Sequence, residues 1–185
     1  MPAVYRSGIL LIAAALVLLA AAVRQTETEP GSSRLFRSLT ARIAWAGQGM
    51  ANLERNAWRL AVLCLIVAAP FGAASGAVTC SPGCPLPPYE AATPGDLVHG
   101  AASIGALFFA GLAMIMFWLA PESGRRLRLA SATGAISTVP LLVAVAIAML
   151  FLGRGWTSGV LERAAVVAAL SWLVAASSTA MRRRT

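Results

Sequence analysis

The sequence contains no lysine, one histidine, three cysteines and seven acidic residues in a chain of 185. Only 12% of its residues are charged, against 58% hydrophobic, and the mean hydropathy is +0.75. A soluble domain is nearer half apolar and a quarter charged, so this balance argues against a water-soluble globule and points to lipid as the solvent. A single histidine excludes bis-histidine haem ligation except across a dimer. No Ser/His/Asp or Cys/His nucleophile arrangement, no phosphate loop and no intramembrane carboxylate pair stands out, and no cofactor is implied. Fifteen arginines give a net charge of +8, which in a soluble protein suggests nucleic acid. Here the arginines cluster beside apolar runs and are not interleaved with aromatics on a polar element. The expected partners are therefore the lipid bilayer and its anionic headgroups, and no nucleic acid.

What is present is a series of apolar runs. Residues Ser7–Val23 are uncharged over about the minimum length that crosses a ~30 Å hydrocarbon core. A cleaved signal peptide is the rival reading, with Arg6 as its basic region and Ala20–Ala22 as a small-residue cleavage site. A polar interval follows. Within it Leu35, Leu39, Ile43, Ala46, Met50 and Leu53 form one stripe at helical spacing, with Arg34, Arg37 and Arg42 largely off it. That pattern predicts an amphipathic helix over about 33–55 that lies in the membrane interface or packs on the inner ends of the bundle. Its three arginines are the candidate lipid-headgroup contacts.

The second span is expected over 57–78, anchored at the interface by Trp58 and Arg59 and kinked by Pro70. Gly72 and Gly76 give it a small-xxx-small face for helix packing, within the chain or in a homodimer. The third span covers 96–120, with Ala102, Ala106 and Ala110 as a smooth packing face. The fourth covers 130–152 and contains Pro140, and the fifth covers 159–181.

Arginine counts set an orientation. The interval after the first span carries five, the 121–129 loop carries Arg125, Arg126 and Arg128, and the tail carries Arg182–Arg184. The 79–95 loop has none and the 153–159 turn has only Arg154. Alternate loops agree on a multi-pass protein of the cytoplasmic membrane with the N-terminus and the cysteine loop outside and the C-terminus inside.

Four features carry chemistry. Cys80 and Cys84 flank Ser-Pro-Gly in a loop placed in an oxidising compartment, which reads as a disulfide. The sharper alternative is a metal site of Cys80, Cys84, Asp96 and His99, whose ligand types suit zinc although their spacing matches no established pattern. Thr93-Pro94-Gly95-Asp96 has the form of a capping box opening a helix, which gives Asp96 an ordinary role. His99 lies one turn further on the same face, and Glu162 with Arg163 lies at matching depth in the last span. Asp96, His99, Glu162 and Arg163 are thus a candidate polar cluster, functional by the rarity of ionisable groups at membrane depth or a structural lock between two spans.

The segment from Gly83 to Met114 resembles the bacterial membrane family called domain of unknown function 998, in which a Pro-rich acidic loop leads into a helix opening with a Leu-x-His-like element. The opening of the last span, with Glu162-Arg163, is similar to that family's last helix. The resemblance runs from about Ala57 to the end. Members usually carry six spans; this chain shows five, as though the first were absent and Ser7–Val23 stood for the second. That registration implies the same orientation as the arginine counts, and it implies no activity. Only Asp96, His99, Glu162 and Arg163 match the family's polar features.

These readings converge on one all-α integral membrane domain over residues 1–185, a bundle of five transmembrane helices plus a cytoplasmic amphipathic helix. The expected role is that of a non-enzymatic accessory or structural membrane protein, alone, as a homodimer or in a larger complex. The alternatives are an enzyme or metal-binding protein centred on the outer polar cluster, and a small-solute transporter. The last lacks the polar mid-membrane residues and broken helix pairs that such sites use.

Overall fold

A computed structural model describes residues 3–24, 47–85, 87, 89–153 and 155–181. Five helices account for most of them: α1 (Ala3–Arg24), α2 (Gly47–Ala77), α3 (Pro94–Leu119), α4 (Arg125–Leu152) and α5 (Trp156–Met181). Strands are absent among the described residues. Within these helices, Arg55–Ala77, Pro94–Leu119, Arg125–Leu152 and Trp156–Thr179 are long and apolar enough to cross a membrane, and α1 contributes the shorter apolar stretch Leu11–Val23.

The helices begin earlier than the apolar runs alone suggest. The 31 residues of α2 would extend about 46 Å, well beyond a ~30 Å hydrocarbon core. Its first turns include residues 47–55, which the hydrophobic stripe assigns to the end of an amphipathic helix; here they run into the span without a break. The rest of that expected helix, with Arg34, Arg37 and Arg42, lies outside the described residues, as do Arg154 and the Arg182–Arg184 tail. Likewise Arg125, Arg126 and Arg128 form the first turn of α4 rather than a free loop. Both Pro70 and Pro140 sit inside continuous helices.

Successive helices pack as neighbours, and α5 closes the arrangement by touching α1 and α3. The core is unevenly distributed along the bundle. Leu19 and Val23 at the end of α1, Ala61 and Leu65 in the first half of the Arg55–Ala77 span of α2, Met114 and Phe117 at the end of α3, and Trp172 and Ala176 near the end of α5 are all buried together. These residues mark one end of the molecule, the end that carries Arg55, Arg59, Arg125, Arg126 and Arg128. Three aromatic rings bind it: Trp58 meets Phe117 edge-on at 5.5 Å, and Phe117 lies 6.5 Å from Trp172. Such pairs add about 0.5–1.5 kcal/mol each beyond burial. Trp58 therefore does not anchor the span at a membrane surface, as expected from its position beside Arg59; it is 3% exposed and belongs to the core.

The loop after α3 is fixed at the same end. Arg128 donates to the carbonyls of Ala120, Pro121 and Ser123 at 3.2–3.4 Å, placing a guanidinium against the carbonyl end of α3 where the helix dipole favours a cation. Toward the other end two cavities, described below, open between the helices, the inner one reaching Trp172 and Leu173 of this core.

Small residues set the closest approaches. Gly72 meets α1, where an added Cβ would lie 3.6 Å from that of Ala13. Ala102 and Ala110 are buried on α3, while Ala106 is half-buried beside a cleft. Two tighter sites carry no small-residue ladder: a Cβ at Gly105 would come within 2.7 Å of the Phe71 ring, and one at Gly134 within 2.7 Å of Trp172. Trp172 also donates its indole N–H to Ser131 Oγ at 3.2 Å, so α4 and α5 are joined by both fit and a buried hydrogen bond.

Candidate functional site

The site lies at the opposite end from the aromatic core and is built on the connection between α2 and α3. Ser81-Pro82-Gly83-Cys84 forms a tight turn closed by Cys84 N–H donating to Ser81 O at 2.9 Å. Proline at the second position and glycine at the third, with φ +86°, is the signature of a type II turn, because only glycine takes that φ without strain. The turn brings Cys80 and Cys84 to disulfide distance, with Cα atoms 5.3 Å apart. Farther along, the Tyr89 hydroxyl donates to the Leu150 carbonyl, and the Tyr89 ring covers Gly153, so the same connection is pinned to the end of α4.

Asp96 holds the turn in place. The capping box is present: Thr93 Oγ1 accepts from Asp96 N–H, and Thr93 N–H donates back to the carboxylate at 2.9 Å. The same carboxylate also accepts from Ser81 N–H at 2.6 Å and Ser81 Oγ at 3.1 Å. With Thr93 Oγ1 at 2.7 Å, four donors converge on the chain's only aspartate, which is 4% exposed. Asp96 is thus turned toward the loop and is committed to it.

His99, one turn further, is 7% exposed, and its Nδ1 lies 2.8 Å from the Ser75 carbonyl. A carbonyl can only accept, so Nδ1 carries the proton and Nε2 keeps the lone pair in the neutral ring. The hydroxyls complete the link. Ser103 Oγ donates to His99 O at 2.8 Å, so Ser75 Oγ is the donor in its 2.7 Å bond to Ser103 Oγ. Ser75, His99 and Ser103 form a closed polar circuit between α2 and α3.

Two cavities meet beside this circuit. The outer one, about 820 Å³, is lined by the Cys80–Cys84 turn, His99, Gly159, Glu162, Arg163 and Val166. The inner one, about 380 Å³, is an apolar cleft between α1, α2, α3 and α5, lined among others by Leu16, Ser75, Ser103, Ala106, Glu162, Val166 and Leu170. Glu162 and Val166 belong to both.

Of the expected polar cluster, then, His99, Glu162 and Arg163 share one cavity wall and Asp96 does not; its carboxylate is held on the loop side by Ser81 and Thr93. The four-residue metal set divides in the same way. One ligand atom each of Cys80, Cys84 and His99 lies within 4.8 Å of the others, without Asp96.

Ser75, Ser81, Ser103 and Tyr89 were not legible as site residues. Ser103 stands four residues after His99 and so on its face, which is a usable signal. The others meet partners 15 to 61 residues away, with a backbone group on one side of a bond in each case, and such pairings leave no mark on sequence. The chain has no match among family models, curated proteins or solved structures.

Proposed function

We propose that this is a multi-pass protein of the cytoplasmic membrane, with the cysteine loop outside and the C-terminus inside, that acts as a non-enzymatic accessory protein by binding a lipid-like amphiphile. The polar head sits in the outer cavity against His99, Glu162 and Arg163, and the apolar chain runs into the cleft beneath. The observation that carries this reading is the shared wall: Glu162 and Val166 line both a polar cavity and an apolar one. Both volumes fall in the roughly 300–1,000 Å³ range of ligand sites, and an apolar lining with a few convergent polar groups is their usual chemistry. A buried histidine with a fixed tautomer and an adjacent Glu–Arg pair gives a head group both donors and acceptors.

The orientation rests on the arginine distribution, which places the tight aromatic end of the bundle at the cytoplasmic face. Kinship with the domain of unknown function 998 family is part of the same proposal and rests on residue pattern alone, with Asp96 and His99 opening one span and Glu162 and Arg163 opening another.

The test is native mass spectrometry of the full chain released from membranes in mild detergent. Wild type is expected to retain one amphiphile per chain, and Ala106→Phe, which fills the cleft, is expected to lose it. A wild type that carries none, or a variant that retains it equally, would overturn the reading.

A further inference from the structure

We infer that Cys80, Cys84 and His99 form a redox-gated site for a thiophilic divalent cation of the zinc type. The inference shares His99 and the outer cavity with the amphiphile proposal but rests on a different observation, the convergence of two sulfurs and an imidazole nitrogen.

Three points carry it. First, the ligand atoms lie within 4.8 Å of one another. Zinc bonds of about 2.3 Å to sulfur and 2.0–2.1 Å to nitrogen put tetrahedral donors roughly 3.5–3.8 Å apart, so forming the site needs a movement in which the sulfurs, about 2.0 Å apart when bonded, part by nearly 2 Å and close on the imidazole by about 1 Å. Once the sulfurs are no longer bonded, a turn hinged on Gly83 can supply it. Second, His99 is hydrogen-bonded as metal-bound imidazoles are. Its Nδ1–H is held by the Ser75 carbonyl at 2.8 Å, which leaves Nε2 as the ligating nitrogen and fixes the ring. Third, all three residues line the outer cavity, which leaves room beside them for solvent or a ligand group as a fourth ligand.

Asp96 completes the device without ligating. Its bonds to Ser81 N–H and Oγ hold the turn between the two cysteines in place whether or not the sulfurs are joined. Reduction therefore frees the ligands without releasing the loop.

The gating step balances with a dithiol as reductant. One thiolate of the dithiol attacks a sulfur of the pair, breaking the Cys80–Cys84 bond and forming a mixed disulfide. The second thiol of the reductant resolves that bond and departs as an intramolecular disulfide. Two electrons and two protons are left on Cys80 and Cys84. A divalent cation then displaces both thiol protons to solvent, and two thiolates with one neutral imidazole neutralise its charge. In the oxidised state the sulfurs have no thiolate to offer and the site does not form.

The experiment uses the full chain in detergent under anaerobic conditions, with Zn2+ titrated against a chromophoric chelator and Co2+ as the spectroscopic probe. Reduced wild type is expected to bind one Zn2+ and to give thiolate-to-cobalt charge-transfer absorption. The oxidised protein is expected to bind at least 100-fold more weakly, as is the Cys80→Ser, Cys84→Ser double variant. His99→Ala is expected to lose at least tenfold, and Cys64→Ser to behave as wild type. The double variant leaves the Ser75 bond intact, so it stays informative if His99→Ala misfolds. Binding that survives oxidation, binding unchanged in the double variant or in a folded His99→Ala, binding lost with Cys64, or no binding by reduced wild type would each overturn the inference.

Discussion

His99 Nδ1 and the carbonyl oxygen of Ser75 lie 2.8 Å apart across 24 residues of sequence, and this bond fastens the second turn of α3 to the last turn of α2. It fixes three things together: the tautomer of the ring, the closure of the Ser75–Ser103 circuit, and the position of the outer cavity wall. Removing the imidazole leaves the carbonyl of buried Ser75 without its donor. We expect His99→Ala to destabilise the protein by about 1–3 kcal/mol, seen as a lowered thermal midpoint in detergent. An unchanged midpoint would mean that the bond contributes nothing to the fold.

The capping box gives a milder and separable prediction. Thr93→Ala removes the side-chain acceptor for Asp96 N–H and one of the four donors to its carboxylate. A cost of about 1 kcal/mol is expected, as for other N-caps, with Thr93→Ser close to wild type. Thermal unfolding of the two variants side by side checks this.

Glycine substitutions should differ sharply by position. At Gly134 a Cβ would lie 2.7 Å from Trp172, which is 3% exposed and tied to Ser131, so the ring cannot move aside. Gly134→Ala should cost about 1–3 kcal/mol by overpacking. At Gly100 a Cβ meets nothing within 4 Å, and Gly100→Ala should be neutral or up to about 1 kcal/mol stabilising through helix propensity. Equal effects at the two sites would contradict the packing described for α4 and α5.

Much of this fold was legible because it depends on local pattern. Apolar runs marked the four long spans, Thr93 with Asp96 announced a capping box, and Pro-Gly between two cysteines announced a turn that brings them together. What was not legible depends on groups that every residue carries. The partner of His99 is a backbone carbonyl, and the second task of Asp96 is to hold a backbone N–H 15 residues away. The fit of Gly134 to Trp172 and of Gly105 to Phe71 comes from helix rotation, which a small-residue ladder at 102, 106 and 110 did not reveal. Trp58 misled for a related reason: a tryptophan beside an arginine at a helix end is as suited to a core as to an interface, and only the position of Phe117 decides between them.

The proposed orientation predicts which side the cysteine turn faces. In intact cells treated with a reductant that crosses the outer envelope, a membrane-impermeant maleimide should label Cys80 and Cys84 in a Cys64→Ser background. Labelling that requires lysis would reverse the topology.

The amphiphile site is the central claim, and an experimental structure of the full chain in lipid nanodiscs tests it most directly. The account predicts elongated density that starts beside His99 and Arg163, passes Glu162 and Val166, and ends in the cleft against Ala106 and Leu170. A cleft closed by α5 moving onto α1 and α2, or one without density while lipid is resolved around the bundle, would contradict it.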